Sequence, residues 1–512
     1  MVRTTPSPIQ NFASSVVMPI LGLALLPISL AAVAICLLRD LFLGEESVRF
    51  QTRRINETSS RSKGTVMISG GRMAKGLTLA RAFKRAGWTV IGVEEAGWGE
   101  LCPMKYSSAV DSFHILPSPV ANFSAYSRAL ISLAIEHHVD LFLPVCGAGS
   151  TVEDAKAAEE MSAKTGGKCR TFIQDPETVL DLHDKDRFQQ LVEELGFAVP
   201  KGKLVHSVDE AINFLKEVRL DAEGKEVGYI IKCTELDENR GDLTLFPFKG
   251  DNKEMTQTRR DFESLKLKMS TKYPYVIQEF IPGQEWCTHA SVVDGQVTAF
   301  VTCPSNDMLM TYENWTQREV GRRAEKWTVD FLNKLGKKPM SNGAHRRLNG
   351  HFSFDFILST RNGEMYPIEC NPRVHTAIIL LPVNSLASCY PTPHTKFIAE
   401  KILRPDARVL PRTWLYNDVI MRLLPYVLPL PDVLEVVHPS LPACCLSWDQ
   451  RNSLLPDESP FRLRVDPTLT ADDPLPFLVL WHVWWPSLLI KRWWQGKKWT
   501  RINVSTGRIF EA

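Results

Sequence analysis

Four polar side chains near the ends of two consecutive apolar stretches have the chemistry of a phosphate and metal site. In the stretch MYPIECNPRVHTA (365–377), Glu369, Asn371 and Arg373 stand at alternate positions directly after an apolar run. Since alternate residues of an extended chain point to one face, a carboxylate, a carboxamide and a guanidinium are predicted to line up there. Asp355 lies on the preceding predicted strand, so hairpin pairing is expected to bring a second carboxylate nearby.

This set of donors suits a magnesium ion that is bound together with phosphate. The carboxylates of Asp355 and Glu369 and the amide oxygen of Asn371 are hard oxygen ligands, which Mg²⁺ takes together with water and phosphate oxygens; Mn²⁺ accepts the same ligands. Arg373 is suited to neutralising a phosphate or another anion. The alternative is a surface ion pair between Glu369 and Arg373, but the convergence of three acceptors and an arginine favours the metal and phosphate interpretation.

Two lysines suit the other half of such a site. Lys185 heads a predicted helix (185–195), and Lys232 ends the apolar strand GYIIK (228–232). A lysine at the end of a buried strand is poorly solvated unless it meets an anion. Phosphate is a natural partner for it. Taken alone, either lysine is equally well explained as a solvated surface residue.

The surrounding pattern predicts the elements that position these residues. From Thr65 onward the chain reads strand, turn, helix and strand, a βαβ unit that requires a parallel sheet. The turn Ser69–Gly71 is predicted to be a tight strand-to-helix connection, and the alternative is a phosphate contact at the helix N-terminus. Further along, Asp294–Gly295 and Asn362–Gly363 are typical of hairpin turns. The expected fold class is therefore α/β followed by α+β.

Five blocks of sequence, in their order and spacing, resemble the ATP-grasp superfamily. The blocks are LHDKDRFQQLVEELGFAVPK (182–201), YIIK (229–232), VIQEFIPGQEWCTH (276–289), FSFDFIL (352–358) and IECNPR (368–373). The resemblance covers residues 66–381. It implies a Rossmann-like pre-ATP-grasp domain, followed by an ATP-grasp domain in which ATP lies between two subdomains.

The same resemblance implies a role for each matching residue, with ATP and Mg²⁺ as cofactors. The implied roles are ATP-phosphate contacts for Lys185 and Lys232, the adenine hinge for Glu279 and Ile281 with Phe280 in its wall, ribose binding for Glu285, metal binding for Asp355, Glu369 and Asn371, and catalytic support of the reacting phosphate for Arg373 together with Asn371.

The roles of two further residues, Arg240 and His375, are left open by the sequence. Many ATP-grasp enzymes cover the phosphates with a glycine-rich loop, whereas here the segment CTELDENRGDLTLF (233–246) has a single glycine. Arg240 is a candidate to supply the missing charge, and an exposed loop arginine is the alternative. His375 follows Arg373 by two residues, so it is a candidate for binding a substrate carboxylate or for a structural hydrogen bond.

Further blocks are similar to the mycosporine-glycine synthases within that superfamily. The blocks are ISGGRMAKGLTLARAF (68–83), LPVC (143–146), QEFIPGQEWCTH (278–289), IECNPRVHTAI (368–378) and DDPLPFLVLWH (472–482). This likeness implies an ATP-dependent C–N ligase of secondary metabolism, which phosphorylates a carboxylate or vinylogous acid and couples it to an amino acid. The alternatives are a ligase of a fungal amino-acid-derived alkaloid pathway of the fumisoquin type, and a non-catalytic nucleotide-binding scaffold at a membrane.

Overall composition excludes some classes of partner. The 512 residues carry a formal net charge of +2, so no strong positive field predicts a nucleic-acid partner. The 11 cysteines are scattered without a C-x-x-C pair, which is typical of reduced thiols rather than of a disulfide framework or a zinc site. A small-molecule acceptor and an amino acid are the expected partners, and the oligomeric state is left open.

Both ends of the chain are unusually apolar. Residues 4–38 contain no charged side chain, and the segment 18–38 is long enough to cross a bilayer. A cleaved signal peptide, a hairpin or monotopic insertion around Pro19 and Pro27, and a buried helix are the alternatives. Arginines that follow the segment predict a catalytic domain facing the cytosol. Near the other end, the Trp-rich run 474–499 is predicted either to touch a membrane surface or to close the last domain.

These patterns predict five regions along the chain. The expected regions are a membrane anchor (1–45), a linker (46–64), a pre-ATP-grasp α/β domain (65–170), an ATP-grasp domain (171–400) and a C-terminal region (401–512).

Overall fold

The structure, a computed structural model, describes most of the chain. The described residues are 8–43, 62–97, 99–145, 147, 149–218, 220, 226–233, 245–247, 251, 254–264, 270, 274–305, 311–391, 401–414, 464–497 and 499–511. Arg240 lies outside them, as does most of the predicted linker, so these two predictions are not described by the structure.

Residue contacts divide the described chain into two compact units. Unit 1 holds the described residues of Leu180–Trp286 and Phe354–Cys370, and unit 2 holds those of Thr5–Val179, Cys287–Ser353 and Asn371–Ala512. The domain boundaries expected from the sequence do not coincide with this division. They stay predictions.

Unit 2 contains a parallel sheet. Its strands are β1 (Thr65–Ile68), β2 (Thr89–Glu95), β3 (Ser112–Leu116), β4 (Leu141–Leu143) and β5 (Arg170–Thr171), in the order β3-β2-β1-β4-β5. All four neighbouring pairs are parallel. The predicted βαβ unit is therefore confirmed, and the buried side chains of β1, β2 and β4 explain their nearly continuous apolar character.

Two glycines lie in the turn between β1 and the helix α2 (Ala74–Arg85), at positions that are packed too tightly for a side chain. Gly70 has a φ of +74°, and a Cβ there would lie 2.2 Å from the carbonyl oxygen of Val145. A Cβ on Gly71 would lie 2.9 Å from Cys102 Sγ. The Ser69–Gly71 segment therefore serves as a close strand-to-helix connection, as the sequence predicted.

A buried ion pair ties the distant C-terminal segment to α2. Arg81 Nε lies 2.8 Å from Asp473 Oδ2, and the two side chains are 3% and 2% exposed. The guanidinium also donates to the carbonyl oxygens of Pro467, Thr468 and Asp473. Asp473 in turn accepts a hydrogen bond from the hydroxyl of Ser107. The segment around residues 467–473 is therefore part of the core of unit 2.

Unit 1 contains a three-stranded antiparallel sheet. Its strands are β6 (Gly202–Val205), β7 (Tyr229–Cys233) and β8 (Tyr275–Glu279), with β8 in the middle. The helix α7 (Val208–Val218) has buried apolar residues every three or four positions, which is the pattern of a helix that covers a sheet. Its apolar face joins Val205, Tyr229 and Ile277 in one core.

A second sheet has four strands. They are β9 (Gly283–Val293), β10 (Gln296–Pro304), β12 (Gly350–Ser359) and β13 (Met365–Asn371), in the order β10-β9-β12-β13. The predicted hairpin turn between β9 and β10 is present, since Asp294 and Gly295 have φ angles of 49° and 78°. Within unit 1, a Cβ on Gly283 would lie 2.1 Å from the carbonyl oxygen of Leu358, so this position requires glycine.

The remaining elements are short strands and helices. They are α3 (Phe123–Glu136), α4 (Thr151–Lys164), α5 (Pro176–His183), α6 (Lys185–Glu194), α8 (Thr256–Ser264), α9 (Glu319–Leu335), α10 (Val383–Leu386), the 3₁₀ helices Pro103–Tyr106, Thr376–Leu380 and Ala387–Cys389, and the strand pairs β11 (Thr311–Tyr312) with β14 (Arg412–Thr413) and β15 (Trp499–Asn503) with β16 (Arg508–Glu511).

The apolar ends of the chain both form helices in unit 2. The helix α1 spans Pro8–Leu43, while α11 (Leu475–Val479), a π-helical turn (Leu480–Trp484) and α12 (Trp485–Trp494) follow one another near the C-terminus. By length and composition, the α1 stretch Pro19–Arg39 is sufficient to cross a membrane. Only 17% of its most apolar window is buried, so the alternative of a buried core helix does not describe it.

Candidate functional site

The first turn of α6 places Lys185 at the helix N-terminus. Asp184 caps the helix, because its carboxylate accepts hydrogen bonds from the backbone amides of Asp186 (3.1 Å) and Arg187 (3.0 Å). Burial, followed by the charge of Asp184, raises the pKa of the Asp186 carboxyl. The cap fixes where the helix starts, and with it the position of the Lys185 side chain.

Contacts along α6 hold the helix against β13. Gln189 Nε2 donates to the carbonyl oxygens of Pro367 (3.1 Å) and Ile368 (3.3 Å). The preceding residue, Phe188, stacks its ring on Phe354 with centroids 6.1 Å apart. The contacts of Gln189 are to the residues just before Glu369 in the chain. They were not predicted from the sequence, since nothing local marks Gln189 as a docking residue.

As a result, the structure brings together two of the predicted site residues. Lys185 Nζ lies 3.8 Å from Glu369 Oε2, and the two side chains are 32% and 24% exposed. The pair is loose and partly desolvated, so either partner is able to exchange the other for an anionic or cationic ligand group. The side chain of Asp355, on β12 in unit 1, is 9% exposed.

A cavity of about 560 Å³ opens beside Lys185 in unit 1. Lys201 and Lys203 line it, together with Gln278 and Ile368. The two lysines stand at alternate positions around Gly202, which is a pattern that puts both on one face of an extended segment. This alternation is a usable local signal, although Lys201 and Lys203 were not predicted from the sequence as site residues. The cavity is large enough for a small-molecule ligand. Its lining holds three lysines against the carboxylates of Asp186 and Glu193, so the balance of charge favours an anionic ligand by one unit.

Lys232 belongs to the three-stranded sheet whose strands β6 and β8 line part of this cavity. It is the fourth residue of β7, and its backbone pairs with Val276 of β8. Val276 lines the cavity. The register therefore places Lys232 beside a lining position of the sheet.

The predicted adenine hinge follows β8 directly. The carboxylate of Glu279 pairs with the Arg361 guanidinium at 2.7 Å, so its side chain has a structural partner within unit 1. The Phe280 amide donates to the carbonyl oxygen of Gly228 at 2.8 Å, and Ile281 is buried. Glu285 is exposed on β9. The backbone amide of Glu279 also donates to the carbonyl oxygen of Lys201 at 2.7 Å, and its role in an adenine hinge stays a prediction.

Asn371 and Arg373 belong to unit 2, two and four residues beyond Glu369. Along β13, Glu369 and Asn371 are partly exposed while Cys370 between them is buried, so the first two share a strand face. Arg373 Nη2 donates to Asn371 Oδ1 at 2.5 Å, and the Ser353 hydroxyl donates to the Arg373 carbonyl oxygen at 2.9 Å. The guanidinium and the carboxamide are thus already oriented by each other.

The donors on β12 and β13 fit magnesium by their chemistry. Asp355 and Glu369 offer carboxylate oxygens and Asn371 offers an amide oxygen, which is a hard set of the kind that leaves positions for phosphate oxygens and water. Among the described residues, no group of three or more His, Cys, Asp or Glu side chains is placed to hold a metal ion. A site that uses only two carboxylates depends on the ligand for the rest of its metal coordination.

His375 has a structural role in unit 2. It caps the 3₁₀ helix Thr376–Leu380, since its Nδ1 accepts from the Ala377 amide at 3.2 Å. Its own amide donates to His289 Nδ1 at 3.3 Å. These contacts favour the structural interpretation of His375 over substrate binding.

The neighbouring histidines of unit 2 are buried and neutral. Burial, followed by the charge of Lys75, lowers the pKa of His351 to about 3. Burial is also the main cause that holds the pKa of His289 well below its ordinary range. His351 Nε2 lies 2.9 Å from the Tyr390 hydroxyl, and the Lys75 ammonium donates to the carbonyl oxygen of Val374 at 2.6 Å.

Acid is therefore expected to destabilise unit 2 through these histidines. The unfolded chain binds protons on both below a pH of about 6.5, whereas the folded chain does not, so stability is complete above that pH and falls as the pH drops towards 3. Each histidine contributes up to about 1.4 kcal/mol per pH unit. The His351→Gln variant should show a flatter fall in melting temperature between pH 6.5 and 5. The exposed His345→Gln is the control, and equal slopes in all three proteins would contradict the prediction.

Comparison with known proteins finds distant structural similarity to several solved structures. No protein-family model matches the chain. Similar solved structures include N5-carboxyaminoimidazole synthetase from Staphylococcus aureus, at 14% identity over 69% of this chain and 82% of that one, with a TM-score of 0.45. An L-amino acid ligase from Bacillus licheniformis matches at 14% identity over 62% and 69%, with a TM-score of 0.41. The biotin carboxylase domain of 2-oxoglutarate carboxylase from Hydrogenobacter thermophilus matches at 15% over 64% and 68%, with a TM-score of 0.44. At these identities and TM-scores, the likeness supports no functional statement.

Proposed function

We propose that this chain is an ATP-dependent C–N ligase of the ATP-grasp type. The observation that carries the proposal is the position of Lys185, which the capped and docked α6 holds 3.8 Å from Glu369 at the edge of a 560 Å³ cavity. An ammonium group, a carboxylate and a lysine-lined cavity together suit a metal-bound polyphosphate.

The proposed role of each site residue follows from its charge and its hydrogen-bonding groups. Lys185 and Lys232 hold the ATP phosphates, and the backbone that follows β8 receives the adenine with Phe280 in the wall and Glu285 towards the ribose. Asp355, Glu369 and Asn371 would hold Mg²⁺, which when bound neutralises phosphate charge. Arg373, held by Asn371, supplies a guanidinium to the reacting phosphate. No nucleophilic side chain is required, since positioning and charge neutralisation are sufficient for phosphoryl transfer.

The proposed reaction has two balanced steps. In the first, an oxygen of a carboxylate or vinylogous acid takes the γ-phosphoryl group, so that a new P–O bond forms while the bond to ADP breaks. In the second, an amine nitrogen attacks the activated carbon, the C–O bond breaks, phosphate leaves and the nitrogen loses a proton. The net products are a C–N bond, ADP and phosphate.

We further propose substrates of the kind used by mycosporine-glycine synthases, namely glycine and a cyclohexenone such as 4-deoxygadusol. The support is the sequence resemblance at residues 68–83, 278–289 and 368–378. Release of ADP should be measured over a panel of amines and acceptors. ADP formed only with glycine and deoxygadusol supports this pair. ADP formed with another pair indicates a different ligase, such as one of an alkaloid pathway, and ATP binding without ADP in any combination indicates a scaffold.

Replacing Lys185 with methionine tests the phosphate contact. The Lys185→Met variant is expected to raise the KM for ATP by about 10-fold to 100-fold, because a charge-assisted contact to phosphate is lost. The matched control is Lys216→Met, since Lys216 lies in the same unit in an exposed pair with Glu254. Equal KM values in the two variants would remove Lys185 from the nucleotide site.

The attachment of the chain to a membrane is a separate proposal. We propose that α1 anchors the chain, with the residues after 39 in the cytosol. The support is the mostly exposed apolar stretch Pro19–Arg39 and the arginines Arg39, Arg49, Arg53 and Arg54 that follow it, against Arg3 alone before it.

A further inference from the structure

We propose that α1 and the C-terminal helix α12 form one monotopic surface that lies in the headgroup region of an anionic bilayer leaflet. This inference rests on the proposed membrane attachment but not on the proposed ligase reaction. It adds a second helix, a mode of insertion and a lipid class, none of which follows from the apolar length of α1.

One face of α1 is docked on the protein. The positions Gly22, Ser29 and Val33 are buried. At 3.6 residues per turn they fall within an arc of about 40°. A Cβ on Gly22 would lie 3.5 Å from the carbonyl oxygen of Trp481, which shows how closely the helix approaches the C-terminal segment. Val33 belongs to the same core cluster as Trp484.

Between Ile20 and Phe42, the opposite face of α1 is exposed and apolar. Its large side chains are 47–77% exposed. They are Ile20, Leu23, Ile28, Leu30, Ile35, Leu38 and Phe42. They fall within an arc of about 160° centred opposite the docked face, along a stripe of about 33 Å. Such a contiguous stripe exceeds what a soluble monomer normally exposes.

The docked face explains why α1 should lie along the membrane rather than cross it. A spanning helix would have to carry the C-terminal segment that it packs on into the hydrocarbon. That segment is continuous with the core of unit 2, because Trp481, Trp484 and Trp485 cluster with residues of α2 such as Phe83. A helix with one face on a globular unit and the other face apolar suits insertion in the plane of the interface.

Exposed apolar and basic side chains at the end of α12 suit contact with anionic lipid. Ile490, Trp493 and Trp494 are 50%, 42% and 84% exposed. Lys491 and Lys497 beside them are also exposed. No acidic residue occurs between Pro474 and Phe510 in the sequence. In space, the exposed Glu100 lies within electrostatic range of Lys491. Tryptophan adjoining basic side chains, with no acidic residue in the same stretch of sequence, is typical of an interfacial contact with anionic headgroups.

Vesicle flotation tests the surface with the full chain. The protein, purified in mild detergent, is incorporated into phosphatidylcholine vesicles with and without 30% phosphatidylserine, a composition about as anionic as a cytosolic leaflet. The double variant Trp493→Ala/Trp494→Ala is expected to lower the vesicle partition coefficient by about tenfold. The double variant Lys491→Glu/Lys497→Glu should abolish the phosphatidylserine dependence. Lys337→Glu, on an exposed lysine far along the chain in unit 2, is the matched control.

Each of three contrary outcomes would overturn the proposal. Undiminished flotation of the α12 variants would leave α1 as the sole anchor. An epitope tag before residue 1 should be open to protease when the chain is made with sealed microsomes, and protection of that tag would show that α1 spans the bilayer. Self-association that is abolished by the tryptophan variant in lipid-free detergent solution would identify a second copy as the occupant. Because flotation needs no substrate, failure here is distinguishable from failure of the proposed ligase activity.

Discussion

The Glu369→Gln variant is expected to form ADP about 10³-fold more slowly than the wild-type chain, or not at all. The substitution keeps the shape of the side chain and removes its charge. It therefore takes away a proposed metal ligand and the partner of Lys185 in one change. Removing one preorganised charged group from the site of phosphoryl transfer costs on this order. The rate should be measured at saturating ATP with the amine and acceptor that the panel identifies.

Binding of ATP gives a second readout that does not depend on the substrates. In calorimetry, Mg²⁺ should tighten ATP binding to the wild-type chain, and this effect should be strongly reduced in Glu369→Gln and in Asp355→Asn. Chelation of the metal with EDTA should weaken ATP binding to the wild-type chain to the level of the variants. Metal-dependent binding that survives in both variants would show that these carboxylates do not hold the metal.

The hairpin that carries Glu369 offers a matched control. Glu364 directly precedes β13 and is exposed, and Glu364→Gln makes the same chemical change. It should leave ADP formation and the effect of Mg²⁺ unchanged. The melting temperature of Glu369→Gln should stay close to that of the wild-type chain, because the 3.8 Å pair with Lys185 is partly exposed and contributes about 1 kcal/mol or less.

Replacing Arg81 with methionine is expected to destabilise unit 2 by about 3–5 kcal/mol. The change leaves the buried carboxylate of Asp473 without its cation and removes three further hydrogen bonds to the backbone of residues 467–473. Urea denaturation, followed by tryptophan fluorescence, should show an earlier transition and earlier exposure of the C-terminal tryptophans.

A double variant and a surface control keep this prediction testable if Arg81→Met folds poorly. Arg81→Met/Asp473→Leu should recover part of the lost stability, since no unpaired charge is then buried. Lys326→Met removes an exposed pair with Asp330, and it should change stability by less than about 0.5 kcal/mol. If Arg81→Met resembled Lys326→Met, the buried network would not be what holds the C-terminal segment.

The sequence by itself determined several local elements and the shared strand face of two residues of the proposed site. Alternation gave the shared face of Glu369 and Asn371, because side-chain direction in a strand depends only on position along the chain. The Asp294–Gly295 turn was legible for a similar reason, since its left-handed backbone is encoded in two residues. The helix Glu319–Leu335 has buried residues at helical spacing, which is likewise a local pattern of the sequence.

Only the tertiary structure decided which distant segments meet. Arg81 and Asp473 lie 392 positions apart, and no local pattern pairs them. Gln189 is an ordinary polar helix residue until β13 presents two carbonyl oxygens to it. The docking of α1 beside Trp481 is of the same kind. Backbone conformation and periodicity are local properties of the chain, whereas the choice of a burial partner depends on which surfaces remain to be covered once all the elements have formed.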